Sequence, residues 1–164
     1  MPLQQLYLSC QHGFVRLDAI DRKILALLQV DGRATLTDLA QQVNLSVSRC
    51  QRRLREMERA GVIRGYRAEV NGAAIGLGFE VILFVTLHGL DQLDEFDAAV
   101  DALPDVVQAQ RLFGQPDVLI RVVTDDLAAY QRLYDQQLSR LPGVQSITST
   151  IVMKNVVPAR ALPT

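Results

Sequence analysis

The chain has no long hydrophobic run, which bears on its relation to membranes. Its longest uninterrupted apolar stretches, such as VILFV at residues 81–85, are five residues long, and a membrane-spanning helix needs about 18. The opening residues, MPLQQLYLSCQHGFVR, lack both the basic start and the continuous apolar region of a secretory signal. We therefore expect a cytoplasmic protein with no membrane partner.

Cysteine and histidine are also scarce, which weakens any case for a metal site or a catalytic centre. The two cysteines, Cys10 and Cys50, have no metal-ligand spacing and form no disulfide framework. Cys50 falls on an apolar helical stripe, so we expect a small core residue. Of the two histidines, His12 is in the opening residues, and His88 precedes Gly89, as a surface turn residue does. No metal, no cofactor and no catalytic residue is predicted.

The small net charge of −1 hides a marked asymmetry. Residues 17–72 carry a net charge of +3, whereas residues 73–164 carry −5. Within the basic part, SVSRCQRRLREMERAGVIRGYR (46–67) holds seven arginines and only two acids. A basic half joined to an acidic half indicates two modules with different partners.

The basic module shows three segments with helical periodicity. They are LDAIDRKILALLQV (17–30), TLTDLAQQV (35–43) and a third segment from Ser46 to about Ala60. The following VIRGYRAEV (62–70) alternates between apolar and polar residues, which predicts a strand packed beside the helices as a wing.

The ends of these segments carry residues suited to helix caps and to a tight turn. Asp18, Thr35 and Ser46 stand at the three helix starts, where a side-chain oxygen accepts a hydrogen bond from a free N–H group. Asn44 tolerates the left-handed backbone conformation that a short helix–helix connection requires. Two helices joined in this way, the second beginning at a serine cap, are typical of a helix-turn-helix.

The third helix separates its apolar and basic residues. Val47, Cys50, Leu54 and Met57 form one stripe, with Ser48, Arg52, Arg55 and Arg59 roughly opposite and Arg49 on the flank. Such a face can pair with phosphates and reach guanine edges in the major groove of double-stranded DNA. The alternative is an ordinary solvated helix face. The DNA contacts that we predict are Ser46, Ser48, Arg49, Arg52 and Arg53. Arg52 is the best candidate for a base edge, and Arg53 is close enough to the apolar edge to serve the fold instead.

After a glycine-rich linker, NGAAIGLG (71–78), the acidic module alternates strands and helices. Strands are predicted over 79–87, 106–114, 118–124 and 144–157, helices over 91–103 and 125–141, and a hairpin turn at GQPD (114–117). This order is the βαββαβ pattern of ferredoxin-like folds, which makes the whole chain α+β.

The first strand of this module is apolar on both faces. Phe79, Val81, Leu83, Val85 and Leu87 share one face, while Ile82 and Phe84 share the other. Two helices cover only one face of a four-stranded sheet, so we expect a second subunit to pack against the other face.

The sequence resembles the Lrp/AsnC (feast/famine) family of transcription regulators. The motifs that carry the resemblance are LDAIDRKILALLQVDGR, LTDLAQQVNLS, RRLREMERAGVIRGYRAEVN, FGQPDVLIRV, LSRLPGV and TSTIVMK. They span residues 17–157 in the family's order, leaving out the leader 1–16 and the tail 158–164. The resemblance implies a winged helix-turn-helix domain over 17–70 and a ferredoxin-like effector-binding domain over 79–157. It also implies homodimers that pair through their sheets and can assemble into octamers.

The resemblance also implies a small effector, commonly an amino acid, that binds near the second hairpin and the last strand. Carried onto this chain, it nominates Gly114, Asp117, Thr148, Ser149 and Thr150. An amino acid needs a carboxylate for its ammonium group and hydroxyl or N–H donors for its own carboxylate. The plainer interpretations are a hairpin-turn residue for Asp117 and ordinary strand preference for the threonines. The family often has an aromatic residue where this chain has Pro116.

Two other functions stay open from the sequence. An oligomer of basic modules could bind DNA as an architectural protein without any effector. A few enzymes, including sirohaem decarboxylases, resemble this family, but this chain offers only His12 and His88 as candidate catalytic histidines. A sequence-specific regulator that responds to a small effector is therefore our main prediction.

Overall fold

The computed structural model describes residues 16–89, 91–157 and 160–164. The predictions for Cys10, for His12 and for the leader up to residue 15 lie outside these ranges. The chain divides into two compact units. The first comprises the chain up to Glu69 together with Val157–Thr164, and the second comprises Val70–Val156.

The first unit contains the three predicted helices, α1 (Ala19–Val30), α2 (Leu36–Gln42) and α3 (Val47–Arg59). Their inward faces form one apolar core, with the buried side chains Ile24, Leu39, Ala40, Val43, Cys50 and Met57. The prediction that Cys50 is a core residue is confirmed. Val47 was predicted on the same apolar stripe, but it is 44% exposed because it begins the helix at the edge of the core.

The predicted caps close these helices. The Asp21 N–H donates to the Asp18 carboxylate at 2.8 Å, and the Asp18 N–H donates back to Asp21 at 3.1 Å. At α2, the Thr35 hydroxyl accepts a hydrogen bond from the Asp38 N–H at 3.1 Å. Each reciprocal or single cap satisfies N–H groups that have no partner within the helix.

The strand predicted over residues 62–70 is wrong. Val62 and Ile63 pack against the helical core, and the residues from Arg64 to Val70 are irregular and exposed. A strand is stable only when its N–H and C=O groups pair with a neighbouring strand. The described part of the first unit contains no strand that could supply this pairing, so alternation alone was misleading.

The second unit has the predicted βαββαβ order. Its elements are β1 (Phe79–Leu87), α4 (Leu93–Asp101), β2 (Val106–Arg111), β3 (Val118–Thr124), α5 (Leu127–Gln136) and β4 (Val144–Ile151). Short 3-10 turns precede β1 at Gly72–Ile75 and follow α5 at Leu138–Arg140. The strands form one antiparallel sheet in the order β2-β3-β1-β4, which is the ferredoxin-like arrangement.

The core of this unit lies between the two helices and one face of the sheet. Val81, Leu83 and Val85 of β1 are fully buried on that face. They contact a cluster made by the neighbouring strands and the inner sides of the helices, which includes Ile120, Val122, Phe96, Val100, Tyr130 and Leu133. One sheet face is therefore covered by helices, as the sequence predicted.

The last strand is shorter than the predicted range 144–157. It ends at Ile151, which pairs with Val81, and the Val152 N–H makes one further bond to the Glu80 carbonyl. Beyond that point β1 offers no more backbone partners, because β1 itself begins at Phe79. The length of β4 is thus set by its neighbour.

Among the described residues, no helix is long and apolar enough to cross a membrane.

Candidate nucleic-acid interface and effector site

The turn between α2 and α3 fixes the geometry of a helix-turn-helix. Asn44 has a φ of 55°, as predicted for the left-handed position. The N–H of Leu45 donates to the Ala40 carbonyl at 2.9 Å, and the N–H of Asn44 donates to the Gln41 carbonyl at 3.2 Å. This pair of bonds is a Schellman motif, which ends α2 and redirects the chain into α3.

The exposed start of α3 carries two serines. The Ser46 hydroxyl accepts a hydrogen bond from the Arg49 N–H at 3.4 Å, which makes it the predicted N-cap. The hydroxyl of Ser48 lies 3.3 Å from that of Ser46. Both side chains are exposed beside the positive end of the helix dipole, where an anion is favoured.

Four arginines of α3 point to solvent: Arg49, Arg52, Arg55 and Arg59. The Arg52 guanidinium lies 2.7 Å from the Glu56 carboxylate, and the two side chains are 64% and 53% exposed. An exposed i, i+4 pair of this kind contributes at most about 1 kcal/mol, so a phosphate or a base can replace Glu56. In the described part of the chain, the side chains of the other three arginines make no hydrogen bond or ion pair.

Arg53 is placed differently from the other predicted DNA contacts. Its guanidinium lies 2.8 Å from the Asp18 carboxylate and 2.7 Å from that of Asp21. The Asp21 N–H and the Arg53 guanidinium together lower the pKa of Asp18, and the hydrogen bonds to Asp21 and Asp18 raise the pKa of Arg53. Arg53 therefore links α3 to the capped start of α1, and its side chain is only 22% exposed.

Replacing Arg53 by alanine is expected to lower the free energy of unfolding by about 1 kcal/mol at pH 7, chiefly through loss of the less exposed pair with Asp21. Because the folded-state pKa of Asp18 lies below its ordinary value of 3.8, its stabilisation is present above that pH. It is lost as the pH falls through the lower, folded-state value. Urea unfolding followed by circular dichroism should show the difference between wild type and variant shrinking below about pH 4.

Arg55→Ala is the matched control for this stability effect, because Arg55 lies on the same helix and is exposed. We expect it to change the free energy of unfolding by less than about 0.5 kcal/mol. Equal effects of the two variants would show that the pair with Asp18 and Asp21 does not stabilise the fold. An Arg53→Ala effect independent of pH would show that Asp18 contributes none of the stabilisation.

Sequence reasoning missed the acidic partners of this surface. Glu56 was not identified as a partner of Arg52, although the i, i+4 spacing was a usable signal. Glu58 accepts a hydrogen bond from the Tyr66 hydroxyl at 3.0 Å, and burial together with Glu58 raises the pKa of Tyr66 to about 12. No local pattern indicated this second contact, because it depends on the irregular path after α3.

In the second unit, Asp117 is held tightly at the end of the β2–β3 hairpin. Its carboxylate oxygen Oδ2 accepts a hydrogen bond from the Leu87 N–H at 2.8 Å, and its own N–H donates to the Val85 carbonyl at 3.0 Å. Gly114, at the turn, has a φ of 136°, which favours glycine. One carboxylate oxygen of Asp117 thus has a structural role in the hairpin, and the other makes no hydrogen bond to the described residues.

The three nominated residues of β4 do not converge on one face. Thr150 pairs with Ile82 and Thr148 with Phe84, so both threonines lie on the sheet face away from the helices. Ser149 alternates to the helix face, where its hydroxyl lies 2.5 Å from the Tyr130 hydroxyl. Only Thr148 and Thr150 can therefore serve a common ligand on the open face.

The open sheet face has a group of apolar side chains on its two central strands, β1 and β3, and also carries an ion pair. Ile82, Phe84, Leu119 and Val123 lie on it. The Arg121 guanidinium donates to Glu80 at 2.5 Å, the Asn155 amide donates to the second Glu80 oxygen at 3.2 Å, and these bonds, Arg121 first, lower the pKa of Glu80. The charges of Arg121 and Glu80 are thus paired with each other on this face.

Two family models match the chain, and together they span both units. Residues 17–64 match a winged helix-turn-helix DNA-binding model, and residues 80–162 match the Lrp/AsnC ligand binding domain. The leucine-responsive regulatory protein of Rhizobium meliloti is 39% identical over 147 residues, which cover 88% of this chain and 94% of that protein. The protein of the same name from Escherichia coli K12 is 35% identical over 148 residues, covering 89% and 90%.

Solved structures agree with these matches. A transcriptional regulator from Neisseria meningitidis in complex with L-Met is 34% identical, has a TM-score of 0.85, and covers 90% of this chain and 97% of its own. An AsnC family regulator from Agrobacterium tumefaciens is 33% identical with a TM-score of 0.83, covering 90% and 97%. The chain belongs to the Lrp/AsnC family of transcriptional regulators, with a winged helix-turn-helix DNA-binding domain followed by an Lrp/AsnC ligand-binding domain.

Proposed function

We propose that this regulator binds a specific operator as a homodimer or a larger oligomer, and that an amino acid alters its assembly or its DNA affinity. The observation that carries the proposal is the exposed arginine face of α3, which begins with Ser46 and Ser48. Because its partner is DNA, we place the protein in the cytoplasm. For the other predicted site residues, the hydrogen bonds and ion pairs of each side chain indicate its role.

Within the DNA interface, Arg49 and Arg52 have the most direct roles. Both are exposed in the first half of α3, the part of a recognition helix that reaches base edges. Ser46 and Ser48 are placed to donate to a phosphate at the helix start. Arg53 acts by holding α3 against α1 through Asp18 and Asp21.

The open sheet face is the proposed dimer interface. Its apolar residues are partly exposed in a single chain, and its ion pair, Arg121 with Glu80, is already satisfied. Burying paired charges costs less than burying free ones, so a second sheet can cover this face. A homodimer also presents two α3 helices, as two half-sites require.

An amino acid is the proposed effector class, for two reasons. Relatives carry the name leucine-responsive regulatory protein, and the Neisseria regulator was solved with L-Met. On this chain, Asp117 offers a carboxylate oxygen for the ligand's ammonium group, and Thr148 and Thr150 offer hydroxyls on β4, the edge strand of the sheet. Gly114 leaves the hairpin backbone open to close approach.

The test is a DNA titration with and without amino acids. A duplex from upstream of the protein's own gene is compared with an unrelated duplex, over a series of salt concentrations, with L-methionine and L-leucine as probes. We expect tight, salt-sensitive and sequence-preferring binding that one of the amino acids changes by about 5- to 150-fold. Equal affinity for both duplexes would favour an architectural protein, and an absence of binding would contradict the proposal.

Asp117→Asn tests the effector site in the same assay. The asparagine oxygen can still accept from the Leu87 N–H, so the hairpin is preserved while the charge is removed. We expect the effective amino acid to be needed at about 10- to 100-fold higher concentration, with DNA affinity in its absence unchanged. Asp135→Asn, at an exposed position on α5, is the control. If Asp117→Asn behaves like that control, Asp117 does not bind the ligand.

A further inference from the structure

The first unit contains an apolar groove that the DNA interface does not use. It is a cavity of about 340 Å³ between α1 and the residues that follow α3. Its apolar lining is Leu17, Leu25, Leu28, Val62, Ile63 and Tyr66. Leu162 and Thr164 line one rim of it. Leu162 is 74% exposed, so the segment lies against the edge of the groove and leaves its volume unfilled.

One polar side chain fixes the register of that end. The Gln29 amide nitrogen donates to the Leu162 carbonyl at 3.2 Å, and the Gln29 amide oxygen accepts from the Leu162 N–H at 2.7 Å. Both backbone groups of one residue are thereby paired with a single side chain, as they are between neighbouring strands. A primary amide supplies this donor and acceptor together, whereas a carboxylate or an apolar side chain does not.

The position of Leu162 along the chain connects this contact to the second unit. The chain leaves the first unit after Glu69 and returns to it at Val157, so two covalent connections join the units. The second connection starts at β4, the strand that carries Thr148 and Thr150. Only eight residues separate the end of β4 at Ile151 from Arg160, and such a span reaches at most about 30 Å when fully extended.

Helix α1 is contacted at both of its ends. Gln29, near its C-terminus, binds Leu162, whereas Asp18 and Asp21, at its N-terminus, hold Arg53 of α3. We propose that the groove is a docking site for the chain's own C-terminal segment Arg160–Thr164, and that this docked segment transmits the ligand state of the second unit to the recognition helix. The proposal rests on the proposed function, because it assumes that an effector alters DNA affinity.

Two changes to the full chain remove the docking. Gln29→Ala deletes both hydrogen bonds to Leu162, and a stop codon after Val157 deletes the docked segment itself. Gln131→Ala, at an exposed position on α5, is the matched control. Amide hydrogen exchange, read by mass spectrometry, reports on residues 25–30 of α1. The same preparations are used to measure the change in DNA affinity caused by L-methionine and L-leucine.

We expect exchange in residues 25–30 to become about 10-fold faster in both changed chains and to be unaltered in the control. DNA affinity without amino acid should stay within about 3-fold of wild type, while the amino-acid effect on affinity should fall to less than about 2-fold. Unaltered exchange in both changed chains would overturn the docking. Faster exchange with the full amino-acid effect retained would overturn the transmission.

The failure of the proposed function is visible separately. If neither amino acid changed the DNA affinity of the wild-type chain, the proposed function would fail, and with it the proposed transmission. The hydrogen-exchange measurement would still show whether the C-terminal segment docks. Mixing the shortened chain with an excess of full-length chain tests whether the docked segment comes from a second copy of the chain. If the shortened chain then regained slow exchange, the segment would come from a second copy, contrary to the proposal.

Discussion

Replacing Arg52 by alanine is expected to weaken binding to the preferred duplex by about 5- to 150-fold, which corresponds to one bidentate contact with a guanine edge. Arg52 is exposed in the first half of α3, and its only side-chain partner among the described residues is the solvent-exposed Glu56. Binding to an unrelated duplex should fall much less, because a base contact contributes to specificity. Competition titrations with both duplexes measure the two effects together.

Arg49→Ala separates the phosphate role from the base role. If Arg49 contacts a phosphate, its removal should weaken binding to both duplexes similarly, and the slope of log affinity against log salt should become shallower by about 0.9 for each phosphate that is no longer neutralised. Arg132→Ala, an exposed arginine on α5, removes the same charge elsewhere and should change little. An equal fall in affinity in all three variants would mean that net charge, and not the face of α3, determines binding.

Placing a charge in the open sheet face is expected to weaken the dimer strongly. Phe84→Glu puts a carboxylate between Leu119 and Thr148, its partners in the neighbouring strands, where no described cation is free to pair with it. Burying that charge under a second sheet is unfavourable, so the dimer dissociation constant should rise at least about 30-fold. Sedimentation velocity over a series of protein concentrations measures this shift.

DNA binding should weaken along with the dimer. A monomer presents one α3 helix and loses the increase in DNA affinity that comes from linking two DNA-binding units. Thermal unfolding of the variant separates dissociation from misfolding, since position 84 lies outside the helix-covered core. Gln131→Glu adds the same charge at an exposed position on α5 and should remain dimeric. A Phe84→Glu chain that sediments like wild type would show that the dimer uses another surface.

Much of the fold was predictable because it depends on local rules. The apolar run of β1 indicated a strand, the serine and aspartate caps indicated the helix starts, and Asn44 indicated the turn of the helix-turn-helix. Each of these signals is contained within a few residues. The family resemblance then added the expectation of an effector site and of octamers, which no local rule supplies.

What could not be predicted depends on partners that are distant in the sequence. Residues 62–70 alternate like a strand but have no described strand beside them, and β4 ends where β1 no longer offers backbone groups. The position of Arg53 near the apolar edge of α3 indicated a role in the fold. Its partners, two aspartates 32 and 35 positions earlier, could not be identified from the sequence. Similarly, Thr148, Ser149 and Thr150 are contiguous in sequence, but strand alternation places them on two faces of the sheet.

The split of the first unit along the chain has a consequence for biosynthesis. A ribosome completes the three helices of this unit before it begins β1, but it adds Leu162, the partner of Gln29, only after β4. The groove beside α1 therefore lacks its contact with Leu162 throughout translation of the second unit. The three helices of a nascent chain can fold early, whereas the contact between Gln29 and Leu162 forms only after the second unit has been translated.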